Sequence, residues 1–304
     1  MSRELLEHGR LMRRVTVLIN PHAGQDANTS QAIAAAFAAA GVEATVRQSD
    51  GARLHATALE ALKDGTEVIV AAGGDGTVNA VASALAGTDV ALGVLPLGTL
   101  NHFAKDLRIP IDLADAANTV VAGQTMLVDV GEVNGRIFVN NSSVGAYPQL
   151  VVERRSQRQA RWLSEAIAAA RVLRDYRKLL VEVVGDRVDR VARTPFVFVG
   201  NNEYQLDGFD FGARPRLDAG ILHICLAPDI GRMRFSVMVA AAFVGRLASG
   251  GQFESLRLPA CAIRSASRRL LVSLDGEVAL LETPLKYRIR RRDLRVVVPA
   301  NASA

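Results

Sequence analysis

Apolar and polar positions follow two alternating periods over the first hundred residues. Short runs rich in β-branched residues, which predict strands, are separated by stretches with helical spacing. This alternation predicts a mainly parallel, doubly wound α/β sheet, in which ligands bind at the carboxyl ends of the strands. The predicted strands are 15–20, 42–48, 66–72 and 90–98, and the predicted helices are 29–40, 52–63 and 78–86.

The pattern changes near residue 125. Most later apolar runs have the period of strands and are separated by turns, which predicts a largely antiparallel β-sandwich domain. Helical spacing returns only near 156–176 and 231–248. We therefore predict an α/β domain over residues 1–125 and a β-rich domain over 126–285. The arginine-rich segment 286–298 predicts a closing strand.

A glycine-rich turn follows the third predicted strand. A strand, a glycine turn and a helix start together favour an anion, because helix-start N–H groups point outward and glycines allow close approach. The turn lacks the lysine of a Walker P-loop. A simpler interpretation is a strand-to-helix turn in which Asp75 or Thr77 caps the helix. The number of glycines favours a nucleotide site; the turn residues are Gly73, Gly74, Asp75, Gly76 and Thr77.

Two other loops of similar composition fall at the ends of predicted strands. INPHAG, residues 19–24, follows the first strand and contains Asn20. LPLGTLNHFAKDL, residues 95–107, follows the fourth strand and contains Gly98, Thr99 and Asn101. Each alone is consistent with an ordinary Pro/Gly turn. Because parallel strands end at one edge of the sheet, one ligand could contact all three loops.

Composition restricts the partners and the compartment. The net charge of +5 favours an anionic partner: a nucleotide, a nucleic acid or an anionic membrane surface. The two cysteines, Cys225 and Cys261, form neither a disulfide framework nor a metal-binding spacing, which is consistent with a reducing cytoplasm. The N-terminal segment is too charged for a signal peptide, and no apolar run is long enough to span a bilayer.

These loops, in this order and spacing, resemble the diacylglycerol kinase catalytic-domain family, which includes bacterial lipid kinases, sphingosine kinases and ceramide kinases. INPHAG, GGDGT and PLGTLNHFA carry the resemblance, together with SLDGE at 273–277, and it extends over nearly the whole chain. It implies a nucleotide-binding domain like that of NAD kinase and phosphofructokinase. It also implies a β-rich lipid-substrate domain, a cleft between the two, and a return of residues 286–304 to the first domain.

The resemblance also implies roles for individual residues. Glu277 would be the general base that accepts the proton of the lipid hydroxyl, with Asp275 close by and also catalytic. Asp75 would contribute to catalysis by binding the Mg²⁺ that accompanies ATP, through a water molecule. Without the resemblance, the Asp-Gly pair before Glu277 predicts only a hairpin turn. The implied nucleotide contacts are Asn20, Thr45, Gly73, Gly74, Asp75, Gly76, Thr77, Gly98, Thr99 and Asn101.

Two positions depart from the family pattern. The family commonly has an acid after the asparagine of the third loop, whereas here His102 follows Asn101. Some bacterial members hold a structural Mg²⁺ through an aspartate directly before a glycine. Here Ala219 occupies that position, and Asp218 faces the other way if the segment is extended. We therefore expect this structural metal site to be absent, while the Mg²⁺ that arrives with ATP is a separate matter.

Basic residues surround the apolar stretch 162–173, which contains the single tryptophan, Trp162. A basic amphipathic helix with an aromatic residue suits a membrane surface. The alternative is a solvated helix whose apolar face covers the sheet. Nucleic-acid binding is not expected, because no recognised module is present. An exposed sheet edge in the second domain could pair two subunits in a homodimer.

The sequence thus predicts a cytoplasmic, ATP-dependent lipid kinase that phosphorylates a membrane lipid such as diacylglycerol or a sphingoid base and associates transiently with the inner membrane face. Two alternatives stay open. One is an NAD-kinase-like enzyme that acts on a soluble substrate, and the other is a nucleotide-binding regulator without catalysis.

Overall fold

The computed structural model describes residues 14–21, 28–122, 124–145, 178–205, 212–234 and 253–300. The helix predicted near 156–176, most of the one near 231–248, and the loop residues after Pro21 lie outside these ranges. The chain divides into two compact units. Unit 1 comprises Met1–Val128 and Arg292–Ala304, and unit 2 comprises Asp129–Arg291.

The elements of the described residues run as follows. The first part of the chain contains β1 (Val15–Ile19), α1 (Thr29–Ala39), β2 (Ala44–Gln48), α2 (Leu54–Lys63), β3 (Val68–Gly73), α3 (Asp75–Leu85), β4 (Ala91–Pro96), α4 (His102–Asp106) and α5 (Leu113–Ala122). The remainder contains β5 (Thr125–Val133), β6 (Arg136–Phe138), β7 (Asn141–Gly145), β8 (Leu179–Gly185), β9 (Val188–Thr194), β10 (Phe196–Asn201), β11 (Leu222–Leu226), β12 (Glu254–Leu258), β13 (Ala260–Ser265), β14 (Arg269–Leu274), β15 (Glu277–Glu282) and β16 (Leu285–Val297).

Unit 1 is built on the parallel strands β2-β1-β3-β4, in that spatial order. The residues of β1, β3 and β4 are all buried, as expected for strands covered on both faces. Helices α1 and α5 pack together, and α2 packs with α3. The end of β16 continues this unit, because Val296 pairs with Leu92 of β4. The predicted doubly wound α/β fold is confirmed.

The start of α3 differs from the prediction. The helix begins at Asp75, three residues before the predicted start, and Gly74 is its N-cap. Because the N-cap is Gly74, the simpler interpretation, in which Asp75 or Thr77 caps the helix, is wrong. The extended backbone of Gly74 turns directly from β3 into the helix, and Asp75 therefore lies in the first turn rather than before it.

Unit 2 is a β-sandwich, as predicted. Its six-stranded sheet has the order β12-β11-β10-β7-β14-β15, and every neighbouring pair is antiparallel. The antiparallel strands β9, β8, β13 and the start of β16 form the facing layer. Buried valine, leucine and isoleucine side chains from both layers share one core. Tyr287 lies in this core, edge-on to Phe138, with its hydroxyl 2.9 Å from Ser142 Oγ.

None of the helices in the part of the chain that the structure describes is both long enough and apolar enough to cross a lipid bilayer.

Candidate functional site

The parallel strands of unit 1 end together. Ile19 is in register with Ala72, and Gly73 is in register with Pro96. The loops that follow β1, β3 and β4 therefore leave the sheet at one edge, as the sequence predicts. The side chain of Asn20, after β1, points toward the loop after β2, since a Cβ on Gly51 would lie 3.6 Å from Asn20 Nδ2.

The two glycine loops touch through their backbones. A Cβ on Gly98 would lie 2.4 Å from Gly74 Cα, which is closer than a real Cβ can approach. The N–H of Leu97 also donates to the carbonyl of Gly73 at 3.1 Å. Glycine is thus required at position 98 by close approach of two loops. The contact brings GGDGT and PLGT side by side, which local sequence could not show.

Asn101 holds the third loop in shape. It adopts the left-handed conformation, with φ of 50°, and is buried. Its Oδ1 accepts the N–H of Gly98 at 3.1 Å, and its Nδ2 donates to the carbonyls of Pro96 and Gly98 at 3.1 and 2.8 Å. The side chain predicted to contact the nucleotide therefore makes three bonds within its own loop. Thr99 and His102, on either side, are exposed.

Asp75 joins the first turn of α3 to the start of α4. Its Oδ1 accepts the backbone N–H of Phe103 at 3.3 Å, and the residue is half-buried. Thr77 is buried against Gly73, where a Cβ would lie 2.4 Å from Thr77 Oγ1. The N–H groups of a helix's first turn have no partners within the helix and favour an anion. Gly74, Asp75 and Gly76 thus present backbone donors and one carboxylate at the sheet edge.

Thr45 is not brought to this edge. It is the second residue of β2 and pairs with Thr16 of β1, whereas the strand ends at Gln48. At about 3.3 Å per residue, three residues separate Thr45 from the carboxyl end by about 10 Å. The structure therefore does not group Thr45 with the other nucleotide-contact candidates.

In unit 2, the DGE motif forms a tight hairpin. Leu274 of β14 pairs with Glu277 of β15, and the two residues between them, Asp275 and Gly276, have φ of 46° and 82°. Two positive φ values in a two-residue loop are typical of a type I′ turn. The two carboxylates of the motif differ in solvent exposure: Glu277 is exposed, whereas Asp275 is buried.

The Asp275 carboxylate is bound by three consecutive backbone amides. Oδ2 accepts the N–H of Val139 at 2.7 Å, and Oδ1 accepts those of Asn140 and Asn141 at 2.8 and 2.9 Å. Burial raises the pKa of this carboxyl to about 6, while the three amides and the charge of Arg214 act to lower it. Burial is the largest of these influences, so the pKa of Asp275 stays above the usual range of a carboxyl.

Sequence reasoning missed the polar residues around this hairpin. Arg214, 5% exposed, donates to the carbonyls of Val139 and Asn201 at 2.6 and 3.2 Å and to Asn140 Oδ1 at 2.8 Å. Asn201 Nδ2 in turn donates to the carbonyls of Val139 and Asp129 at 2.8 and 2.9 Å. The signal in the sequence was a pair of Asn-Asn doublets, at 140–141 and 201–202, each at a strand end.

The stretch around Ala219 does not fit a structural metal. Ala219 offers no side-chain oxygen, and Asp218 Oδ1 accepts two hydrogen bonds from Arg216, at 3.1 and 3.0 Å. The guanidinium of Arg291 donates to the carbonyl of Gly220 at 3.3 Å. An arginine side chain, and not a metal ion, therefore contacts the backbone of this loop. In the described part of the chain, no group of three or more His, Cys, Asp or Glu side chains is arranged to hold a metal ion.

Two family models match the chain. The diacylglycerol kinase catalytic domain matches residues 14–133. The YegS C-terminal NAD kinase beta sandwich-like domain matches residues 143–298, and this second match alone covers about half of the chain. The first match contains the three loops of unit 1, and the second contains Arg214 and the hairpin of Asp275 and Glu277.

Curated proteins of similar sequence carry lipid kinase names, in agreement with the family models. The chain is 31% identical over 252 residues to a probable lipid kinase YegS-like protein of Pseudomonas syringae pv. tomato, which covers 80% of this chain and 79% of that protein. It is 36% identical over 149 residues to a diacylglycerol kinase of Bacillus subtilis, which covers 47% of this chain and 49% of that protein. The chain thus spans about half the length of the Bacillus relative.

The fold has a solved counterpart. The crystal structure of a diacylglycerol kinase from Bacillus anthracis str. Sterne matches with a TM-score of 0.71 and 20% identity, over 97% of this chain and 99% of that one. At this identity the likeness concerns the fold.

Proposed function

Because the chain belongs to the diacylglycerol kinase catalytic-domain family, we propose that it is an ATP-dependent lipid kinase. It would transfer the γ-phosphate of MgATP to a hydroxyl of a lipid such as diacylglycerol or a sphingoid base. The observation that carries the proposal is the contact of GGDGT with PLGT, where Gly74 and Gly98 meet at the carboxyl edge of a parallel sheet. Relatives named diacylglycerol kinase and lipid kinase support the choice of substrate class.

Unit 1 supplies the nucleotide contacts in this proposal. The phosphates would lie against the backbone N–H groups of Gly74, Asp75 and Gly76, where the dipole of α3 favours negative charge. Asn20, Gly98 and Thr99 border the same edge. Asn101 would contribute by holding the loop rather than by touching ATP, because both ends of its amide are engaged there.

The donor set at this edge fits a magnesium ion that arrives with the nucleotide. Asp75 offers a half-buried carboxylate beside the proposed phosphate position, and carboxylate and phosphate oxygens are the ligands Mg²⁺ prefers. Asp75 would hold the ion, directly or through a bound water. The bound ion would neutralise charge that develops on the transferred phosphoryl group. No lysine of the Walker type is needed in the loop.

Unit 2 supplies the proton acceptor. In this proposal the exposed carboxylate of Glu277 takes the proton of the lipid hydroxyl as the oxygen attacks the γ-phosphorus. The phosphoryl group then moves to that oxygen, and ADP leaves with the electrons of the broken bond. Asp275 faces inward to three amides and is poorly placed for this step.

A lipid substrate implies a membrane encounter. Diacylglycerol and sphingoid bases reside in bilayers and ATP is cytoplasmic, so we propose transient association with the cytoplasmic membrane face. A homodimer would use a sheet edge of unit 2; β12 and β15 are the edge strands of its six-stranded sheet.

The test is phosphorylation of lipid vesicles. Wild type with labelled ATP, Mg²⁺ and vesicles containing diacylglycerol or sphingosine should give labelled lipid. Glu277→Gln should lower kcat on the order of 10²- to 10⁴-fold with ATP binding intact. Glu282→Gln is the matched control, since Glu282 is an exposed glutamate at the far end of the same strand. Labelled soluble substrate without vesicles would favour the NAD-kinase-like enzyme, and bound ATP with no product on any extract would favour the regulator.

A further inference from the structure

We propose that Arg214 is a positioning residue for the hairpin that carries Glu277, and that it acts through the backbone of residues 139–141. Asp275 is the anchor of this hairpin and not its proton acceptor. The inference rests on the proposed function, because it assigns how the proton-accepting carboxylate is held. All of the residues concerned belong to unit 2.

Strand β14 of the hairpin pairs with β7, and the turn itself is held through Asp275. Besides the three amides that bind the Asp275 carboxylate, the N–H of Asp275 donates to the carbonyl of Asn141 at 2.9 Å. A type I′ turn fixes the register of its strands, and here it sets Glu277 opposite Leu274. The position of Glu277 therefore depends on how firmly residues 139–141 hold Asp275, in addition to the pairing of β14 with β7.

Arg214 holds two of these residues by their other polar groups. Val139 and Asn140 point their N–H groups at Asp275, while the carbonyl of Val139 and the side-chain oxygen of Asn140 accept from Arg214. The carbonyl of Asn140 is taken by the N–H of Asn201 at 2.9 Å. Val139 and Asn140 are thus bound both by a buried anion and by a buried cation.

Arg214 and Asp275 are buried groups of opposite charge, and the charge of Arg214 acts to lower the pKa of Asp275. A carboxylate or guanidinium without compensation in the interior is costly, and removing one partner of a buried pair leaves the other uncompensated. Arg214 lies 5.4 Å from the ring centre of Tyr204, which is itself edge-on to Phe198 at 5.1 Å. The guanidinium is therefore fixed by an aromatic face as well as by oxygen acceptors, and it can fix residues 139–141 in turn.

The geometry separates the roles of the two acids. Both Asp275 oxygens accept backbone hydrogen bonds, so a proton taken from substrate would have to compete with three donors pointing at them. Glu277, two residues later, is exposed. Asp275 and Arg214 therefore act together to keep the backbone of Glu277 in place.

The experiment compares Arg214→Met, Arg214→Lys and the control Arg216→Met. Arg216 is two residues away, but its pair with Asp218 is at the surface. We measure kcat and the KM for ATP on diacylglycerol vesicles, and hydrogen exchange of the amides of residues 139–141. Arg214→Met should lower kcat on the order of 10²-fold, as expected for misplacement of a catalytic group, with the KM for ATP within about twofold. It should also accelerate exchange of those amides, and Arg214→Lys should recover part of both.

Wild-type kcat and unchanged exchange in a folded Arg214→Met variant would overturn the proposal, as would equal effects of Arg216→Met. If Arg214→Met does not fold, Arg214→Lys decides: faster exchange with lower kcat supports positioning, and wild-type values refute it. If wild type phosphorylates no lipid, the kinase proposal fails, while the exchange measurement, which needs no substrate, still decides whether Arg214 holds the anchor.

Discussion

The Asp75 carboxylate accepts a hydrogen bond from the backbone N–H of Phe103, at 3.3 Å, and so links the first turn of α3 to the start of α4. One acid therefore has two duties in the proposed site. Its charge would serve the cation that travels with ATP, and its oxygen holds two glycine-flanked loops in register. The two duties can be separated by substitution.

Asp75→Asn keeps an acceptor oxygen for Phe103 but removes the charge. We expect turnover to fall on the order of 10²-fold or more, with the Kd for ATP and the Tm nearly unchanged. Asp75→Ala also removes the hydrogen bond and should cost about 1 kcal/mol of unfolding free energy. Equal losses of ATP binding and turnover in Asp75→Asn, measured by calorimetry and lipid phosphorylation, would instead assign Asp75 a purely structural role.

Gly98→Ala should disrupt the contact between the two glycine loops. The added Cβ would lie 2.4 Å from Gly74 Cα, so the loops must separate, at a cost of about 1–3 kcal/mol. We expect a lower Tm and weaker ATP binding. The control is Gly231→Ala, where an added Cβ meets nothing within 4 Å. A Gly98→Ala variant that binds ATP like wild type would show that the contact does not shape the nucleotide site.

Chelation should separate catalytic from structural metal. We expect EDTA to abolish lipid phosphorylation while leaving the Tm unchanged, because Ala219 offers no ligand and Arg291 donates to the neighbouring carbonyl of Gly220. Arg291→Met should lower unfolding free energy by about 0.5–1.5 kcal/mol, whereas Arg269→Met, at an exposed pair with Glu282, should change it little. A drop in Tm on chelation would mean that other groups hold a structural ion.

Acidification should affect activity and stability in opposite directions through Asp275. Its pKa is raised from 3.8 to about 6 in the folded protein, so between these values the folded state binds more protons than the unfolded one. This group's contribution to unfolding free energy therefore increases as pH falls from 6 toward 4, by at most about 3 kcal/mol. Protonation also adds a donor among three backbone donors, so kcat should fall below pH 6.

The comparison with Asp275→Asn isolates this group from the other carboxylates that titrate. Denaturant unfolding of both proteins should be measured from pH 4 to 7. The unfolding free energy of wild type minus that of Asp275→Asn should increase as pH falls from 6. A difference that is flat, or that grows toward pH 7, would contradict the assigned shift.

The elements that depend on local sequence patterns were predicted correctly. The apolar runs of β1, β3 and β4, the closing strand β16 and the Asp-Gly turn before Glu277 were all predicted. The start of α3 at Asp75 was not, because a glycine N-cap leaves no capping residue to recognise. Helices α4 and α5 were also missed.

Contacts between distant segments could not be predicted. Arg214 meets residues 139–140 across more than 70 positions, and Asp275 reaches them across more than 130. The periodicity of apolar and polar residues does not indicate either contact. The position of Thr45 along β2 could not be predicted either, because it depends on the register with β1, which apolar spacing alone does not fix.

The division of β16 has a consequence for biosynthesis. Its first residues pair with β13, but Val296 completes the flank of β4, and Val298 bonds to Gln124 at 2.9 Å. Unit 1 therefore gains its last strand only after the whole of unit 2 has been translated. A chain ending near residue 128 would leave β4 with an unpaired, fully apolar edge, which is prone to aggregate. Ribosomes must synthesise nearly all of this polypeptide before unit 1 can be completed, so unit 1 has a high contact order and is expected to fold slowly.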